Sequence, residues 1–478
     1  MTSPVGVSAR VGYVSVVSGS LVDVVPSTPG VFTMTAPQIS SAQPTFLQSD
    51  ATLARAVRPF VRFSHIEAAG GIVLVVATVV ALVWANSPWK SGYETLWATN
   101  LRFEFGAYVF DEDLGHVVND LLMAVFFFVV GMEIKRELVV GELRDRRAVA
   151  LPAMAALGGM IVPAAIFLAF NAGGEGSRGW GIPMATDIAF ALGVVALLGS
   201  RVPPAVKVLL LTLAIIDDIG AIVVIAVFYT DRVEFEFIIA AAAIAAVVTL
   251  MHRAKVVYPP VIAVVGFALW LAVYESGIHA TIAGVVMGLL TPARPVQSDL
   301  EAEELVNVLE NNDDIRADEV RATATLIRGS VSACDRLIDG LHPWTSYLIV
   351  PIFALANAGI VLSADSITSP SAVMGGVAVA LVVGKFVGVT LFSWGAVRLG
   401  FGRLPEGVRW GHIMGVGAVA GIGFTVSLFI TGLAFDDIAL QDDAKTGVLA
   451  ASIIAALAGA AMLAAAARPN GHGSTDPG

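Results

Sequence analysis

Charge is scarce in this sequence of 478 residues: Asp, Glu, Lys and Arg together make up 14% of it, against roughly 25% in a soluble globular domain. So few charges cannot cover a folded surface in water, which excludes an ordinary soluble enzyme. Cysteine is scarcer still. The single Cys334 rules out an intramolecular disulfide and any cysteine-based metal cluster, and its setting reads as an inert residue in a polar loop. Basic residues are in deficit as well, 28 Lys and Arg against 39 Asp and Glu, so nothing points to nucleic acid as a partner. Also missing are the GxxxxGK[ST] loop that cradles nucleotide phosphates and the HisGluXXHis and GxSxG motifs of hydrolases. ATP-driven chemistry and the common hydrolytic mechanisms fall with them, and neither an enzyme activity nor a cofactor is expected.

What the sequence has in abundance is apolar surface. Hydrophobic residues reach 56% and the mean hydropathy is +0.81. Apolar runs near 20 residues, the length that spans a hydrocarbon core of roughly 30 Å, recur from Ile66 to Ala467. They are continuous Val, Ala, Leu and Ile rather than the alternating segments of about 10 residues that build a β-barrel. An all-α integral membrane protein in contact with the lipid bilayer follows. About twelve spans fit, near 66–86, 116–138, 148–170, 180–199, 205–229, 234–251, 257–274, 277–291, 343–362, 372–397, 408–435 and 444–467. With both termini cytoplasmic, the inside segments hold 21 Lys and Arg and the outside ones 5, as the positive-inside rule requires. The membrane domain runs over 56–467. Residues 1–55 and 468–478 read as disordered tails, and 292–341, rich in Asp and Glu, reads as an acidic cytoplasmic loop, solvated and in part helical.

An ionised side chain at mid-bilayer costs about 2.5–3.5 kcal/mol even on the lenient insertion scale, so each needs a reason. Asp217 and Asp218 stand halfway along the fifth span, Asp187 in the fourth and Lys385 near the middle of the tenth, while Asp120 and Glu133 bound the second. Adjacent helical residues point about 100° apart, so one carboxylate of the Asp217–Asp218 pair can face a cavity and the other a neighbouring helix. Carboxylate oxygens suit a small hard cation, and desolvation disfavours the charged form of an acid. Such a group holds a proton or an alkali cation, not both at once. Pro183 interrupts the fourth span just before Asp187, and Gly411, Gly415, Gly417, Gly421 and Gly423 weaken the eleventh. Each is the middle member of a group of three spans, the pattern of a transporter site built from facing half-helix ends. Asp187 would then face positive helix N-termini and Lys385 negative C-termini.

At these residues the sequence resembles the NhaA-type bacterial sodium/proton antiporters, a family often used to illustrate inverted-topology repeats. The resemblance runs from about His65 to Ala466 and rests on NDLLMAVFFFVVGMEIKREL (119–138), PMATDIAFALG (183–193), LAIIDDIGA (213–221), SGIHATIAG (276–284), HPW (342–344), PIFALANAG (351–359) and GKFVG (384–388). It implies inverted repeats with interrupted spans 4 and 11. It also implies that Asp218 is the main cation and proton ligand with Asp217 beside it, that Asp217 pairs with Lys385 in one state, and that Thr186 and Asp187 sit where the broken helices cross. Glu133, Arg136 and Glu137 are implied to form a pH-responsive funnel, with His279 modulating the response. A partial alternation over 94–113 fits an outer β-hairpin, which the family uses in a homodimer. The sequence departs from the family just before HPW, where Ile338 and Asp339 replace a Glu–His pair.

The activity so implied is electrogenic, pH-regulated exchange of cytoplasmic Na+ or Li+ for external protons across a bacterial inner membrane, in the service of sodium and pH homeostasis. Asp218 and Asp217 would hold the metal ion only transiently, as cargo. A sodium-coupled symporter of an organic anion is the alternative; it would need a cationic pocket, and Lys385 is its one mid-membrane cation. A channel would want a repeated filter or charge ring, and neither is visible.

Overall fold

The computed structural model describes residues 23–26, 32–35, 69–106, 108–230, 233–254, 259–295, 329–361 and 368–467. The chain divides into two units, Met1–His65 and Ile66–Gly478. In the first, strands β1 (Asp23–Pro26) and β2 (Phe32–Thr35) pair antiparallel, with Asp23 opposite Thr35. Reading 1–55 as an irregular tail did not include this hairpin. The rest of that tail, the tail 468–478 and residues 296–328 of the acidic loop lie outside the described residues.

The second unit is mostly helical. Its helices are α1 (Ala69–Ala85), α2 (Lys90–Trp97), α3 (Leu114–Val139), α4 (Arg146–Asn171), α5 (Ile188–Leu197), α6 (Pro204–Phe228), α7 (Phe235–Arg253), α8 (Pro259–Glu275), α9 (Thr281–Leu290), α10 (Ala333–Trp344), α11 (Val350–Asn357), α12 (Ala372–Arg398), α13 (Trp410–Val419), α14 (Phe424–Ala434) and α15 (Ile438–Ala466). A 3-10 helix, Glu175–Met184, precedes α5. Val, Ile and Thr are modest helix formers in water, but in lipid every backbone N–H and C=O must be satisfied within the segment, and the helix does that.

Six helices, α3, α4, α6, α7, α12 and α15, are long and apolar enough to cross a membrane. Three consecutive pairs pass the same test as bent units: α1 with α2 (115°), the 3-10 helix with α5 (45°) and α13 with α14 (45°). The described residues thus offer six to nine candidate spans, fewer than the twelve expected. The shortfall has two causes. Helix α9 has 10 residues and at 1.5 Å per residue reaches about half of a 30 Å core, whereas α11 continues α10 through the π-helical turn Thr345–Ile349 and the polar first half of that helix, with Asp335, Asp339 and His342, lowers its hydropathy. Apolar faces point outward as a lipid-facing surface would: Val76, Val83, Ile239 and Leu457 are all more than half exposed.

Strands β3 (Asn100–Phe105) and β4 (Tyr108–Asp113) form a second hairpin inside the stretch where alternation suggested one. The Tyr274 hydroxyl donates to Glu112 and so ties β4 to α8. Part of the expected acidic loop is α10, capped by the Ser332 side chain accepting from Asp335 N. Cys334 therefore sits in a helix, not a loop. It is fully buried against Val129 and Met132 of α3, and its thiol donates to the Met132 carbonyl at 3.1 Å. Burial pushes the thiol up to about 11, so it stays protonated and inert.

The contact that sets the interior is α4 against α12. At Gly158 and Gly388 each backbone lies where the other's Cβ would be, within 2.2 Å of a carbonyl oxygen. Only paired glycines permit so close an approach. It carries α12, one turn earlier, past Gly384 and Pro163. There α12 contains a π-helical turn, Ala380–Gly384, and Lys385 follows immediately. Such one-turn π segments recur at functional sites.

Candidate ion site at the crossing of two helix breaks

The break between the 3-10 helix and α5 falls at 185–187, and the break between α13 and α14 at 420–423. Pro183 is the penultimate residue of the first segment, and Gly421 and Gly423 lie in the second break. The other three glycines of the eleventh segment serve packing instead. Gly411 and Gly415 meet Ala466 and Leu463 of α15, and Gly417 meets Phe386 of α12. The two breaks are bonded to each other. Asp187 N donates to Ile422 O (2.7 Å), the Thr186 hydroxyl lies 2.9 Å from Ala420 O, and the Ser427 hydroxyl donates to Ile182 O (2.7 Å).

Asp187 is buried and caps two helices at once. One carboxylate oxygen accepts from Phe190 N in the first turn of α5 (3.0 Å). The other accepts from Thr425 N (3.0 Å) and from the Thr425 hydroxyl (2.7 Å) at the start of α14. Its charge is met by two positive helix ends. Lys385, also fully buried, answers at the opposite pole of the first break. Its ammonium donates to Met184 O (2.5 Å), at the C-terminal end of the 3-10 helix, to Thr186 Oγ1 (3.0 Å) and to Asp217 Oδ2 (2.6 Å). Those three bonds use all three of its protons.

The two adjacent acids of α6 are treated differently. Asp217 Oδ2 takes Lys385 and lies 2.8 Å from the Thr186 hydroxyl, while its Oδ1 has no partner. Thr186 has one proton to give and two acceptors for it, Asp217 and Ala420 O. Asp218 is 3% exposed, yet its side chain makes no hydrogen bond or ion pair among the described residues, and its Oδ1 is buried without a partner. Thus Lys385 neutralises Asp217, helix ends offset Asp187, and Asp218 stands uncompensated. The donors gathered here are carboxylate, hydroxyl and carbonyl oxygens, the set suited to a small hard cation. Among the described residues no three acidic, His or Cys side chains cluster closely enough to cage a metal ion by themselves.

The remaining sequence candidates make no hydrogen bond to this crossing among the described residues, although the Glu133 carboxylate is near enough to act on Asp218 through its charge. Glu133, Arg136 and Glu137 are half-buried near the end of α3. Arg136 pairs weakly with Glu137 (4.0 Å) and with Asp335 of α10 (3.9 Å), and Glu137 accepts from Glu142 N. His279 precedes α9 and its Nε2 donates to Tyr229 O at 2.6 Å. Sequence reasoning overlooked Thr425, Ser427 and Tyr229. The Tyr229 hydroxyl donates to Arg178 O and accepts from Gly181 N, holding the 3-10 helix against the end of α6. A hydroxyl residue just after a glycine-rich break was the available signal for Thr425 and Ser427.

A profile of the family described as Na+/H+ antiporter 1 matches residues 61–463. The chain belongs to this family. Its relatives include the Na(+)/H(+) antiporter NhaA of Rhodopirellula baltica, 49% identical over 86% of this chain and 94% of that protein. The Na(+)/H(+) antiporter NhaA 3 of Frankia alni is 47% identical over 85% of this chain and 89% of its own length. The Na(+)/H(+) antiporter NhaA 2 of Myxococcus xanthus is 45% identical over 88% and 92% respectively. Membership in the antiporter family makes the chain a multi-pass membrane transporter, and it leaves the organic-anion symporter without support.

Proposed function

We propose that this protein exchanges cytoplasmic Na+ or Li+ for external protons as a secondary active, electrogenic and pH-regulated antiporter of the bacterial inner membrane. The ions are its substrates, and no resident cofactor takes part. The observation that carries the reading is Asp218: a buried carboxylate without an internal partner, beside an Asp217 that already has one. An uncompensated charge in a low-dielectric interior demands a proton or a cation. Binding one excludes the other, so each ion is exported only at the expense of a proton admitted. Asp187 and Thr186 would serve the crossing, Asp187 holding the facing helix ends rather than the ion. Lys385 would compensate Asp217 until a cation arrives.

In this reading two of the three bent pairs, the 3-10 helix with α5 and α13 with α14, are interrupted membrane spans related by inverted repeats, and helices α8 to α11 belong to further spans that bring the number to twelve. Both termini are cytoplasmic, and the domain limits are 56–467 with an acidic cytoplasmic loop at 292–341 and a tail at either end. Glu133, Arg136, Glu137 and His279 tune the pH response from outside the crossing. Hairpin β3–β4 joins two copies into a homodimer.

The test is collapse of a preformed ΔpH in everted vesicles on addition of Na+, Li+ or K+ between about pH 6 and 9. Because metal binding must release the protons it displaces, the apparent KM for Na+ should rise about tenfold per unit fall in pH for each competing proton. A KM independent of pH would sink the proposal.

A further inference from the structure

A cavity of about 840 Å³ opens between the first turns of α4, the first turns of α6 and the segment 400–405 that follows α12. Its wall includes Leu151 and Pro152 of α4, Leu209 of α6, and Phe401 and Leu404. Val208 and Phe401 line it too, and at 45% and 62% exposed they carry its apolar wall onto the outer surface. Two candidate spans begin here and a third ends here, so the cavity lies at a membrane boundary. Its size falls within the roughly 300–1,000 Å³ typical of small-molecule sites.

Two opposite charges share this cavity without meeting. Glu142 and Arg403 both line it, yet neither side chain makes an ion pair or hydrogen bond among the described residues. Asp145 lines the same mouth. A third polar group sits deeper. Thr212 of α6 is 6% exposed and lines the cavity, but its hydroxyl makes no hydrogen bond among the described residues. Elsewhere Thr78, Thr230, Thr249, Thr291 and Thr431 each donate to the carbonyl four residues earlier. A buried hydroxyl that forgoes that bond beside a cavity is available to a ligand.

We infer that the cavity binds a phospholipid with a primary-amine head group, of the phosphatidylethanolamine class. Its ammonium would donate to Glu142, and its phosphate would accept the planar fork of Arg403. Its ester region would reach the Thr212 hydroxyl, and its acyl chains would leave over Val208 and Phe401 into the bilayer. Charge complementarity selects this occupant. An anionic lipid would satisfy Arg403 but leave the Glu142 carboxylate facing like charge, and a quaternary ammonium has no N–H to donate.

The experiment uses the full chain, purified and exchanged into an equimolar mixture of phosphatidylethanolamine, phosphatidylcholine and phosphatidylglycerol, with retained lipid counted by native mass spectrometry. The wild type should retain phosphatidylethanolamine over phosphatidylcholine. Glu142→Gln and Arg403→Gln should each reduce that retention by about two- to fivefold, the range of an exposed charge pair. Ala148→Trp, an exposed position in the lining, should reduce it by filling the space. Equal retention of the two zwitterionic lipids, retention of phosphatidylglycerol in their place, or a preference that survives all three substitutions would overturn the inference. The readout is lipid, not transport, so it stands or falls apart from the antiport reading.

Discussion

Replacing Lys385 by Met tests the electrostatics of the crossing most directly. The ammonium is fully buried and its three bonds end on Asp217, Thr186 and the Met184 carbonyl. Met keeps most of the volume and removes the charge, which leaves Asp217 with the Thr186 hydroxyl as its one remaining partner. Removing one partner of a buried pair costs about 3–5 kcal/mol, because the other charge is stranded. Removing both is often neutral, because the pair's attraction does little more than offset its desolvation. At roughly 1 °C per kcal/mol in a chain of this size, Lys385→Met should lower the unfolding midpoint by about 3–5 °C. Asp217→Asn alone should behave similarly. The double variant, Lys385→Met with Asp217→Asn, should recover most of the loss. The eight tryptophans supply an intrinsic fluorescence signal in detergent, read at one heating rate since unfolding there is irreversible. A double variant no more stable than the weaker single would refute the charge-pair reasoning, as would an unchanged midpoint for Lys385→Met.

Three further outcomes follow from the geometry. Asp218→Asn should abolish Na+-driven ΔpH collapse while leaving the unfolding midpoint unchanged or raised, because the carboxylate has no internal bond to lose; full exchange by this variant would remove Asp218 from the site. Thr425→Val should cost about 1.5–3 kcal/mol, the worth of a hydrogen bond to a charged group, and lower the midpoint by about 2–3 °C. Thr425→Ser should restore it, so a serine variant as unstable as the valine one would show that the hydroxyl bond to Asp187 is not the cause. Gly388→Ala would set a methyl about 2.1 Å from the Gly158 carbonyl oxygen, and overpacking of that kind costs about 1–3 kcal/mol. It should destabilise the fold and impair exchange together, and a silent Gly388→Ala would mean that α4 and α12 do not meet as described.

Local signals carried the sequence reading as far as local signals can. Hydrophobic runs marked α3, α4, α6, α7, α12 and α15, and Pro183 marked the first break. Isolated charges in apolar surroundings singled out Asp187, Asp217, Asp218 and Lys385. The partners of those charges were another matter. Thr425 bonds Asp187 across 238 residues and Lys385 bonds Asp217 across 168, and no periodicity reports on pairs so far apart. Glycine content misled in a different way. Five glycines in the eleventh segment read as one weak point, yet two form the break and three admit neighbouring helices, two roles that composition cannot separate. The loop reading of Cys334 failed because acidic residues around a short amphipathic helix look the same as a solvated loop until the helix is seen to dock on α3.

Charge accounting at the crossing also makes the stoichiometry testable. One proton exchanged for one Na+ at Asp218 moves no net charge, so electrogenic exchange needs a second proton from a second group. Asp187 is already engaged, its oxygens accepting three hydrogen bonds from two helix ends. The Asp217–Lys385 pair is the better one. A cation that takes Asp217 as well as Asp218 must displace the ammonium from its carboxylate, and charge balance at the site then assigns the departing proton to this pair. The pair then carries the second proton without any further ionisable residue. In Lys385→Met that route is gone, so the variant should still exchange Na+ for H+ but with one proton per ion, and its rate should no longer respond to an imposed membrane potential. Proteoliposomes clamped with K+ and valinomycin would read this directly. If Lys385→Met keeps a potential-dependent rate and two protons per Na+, the second proton rides elsewhere, and half-buried Glu133 of α3 becomes the group to examine next.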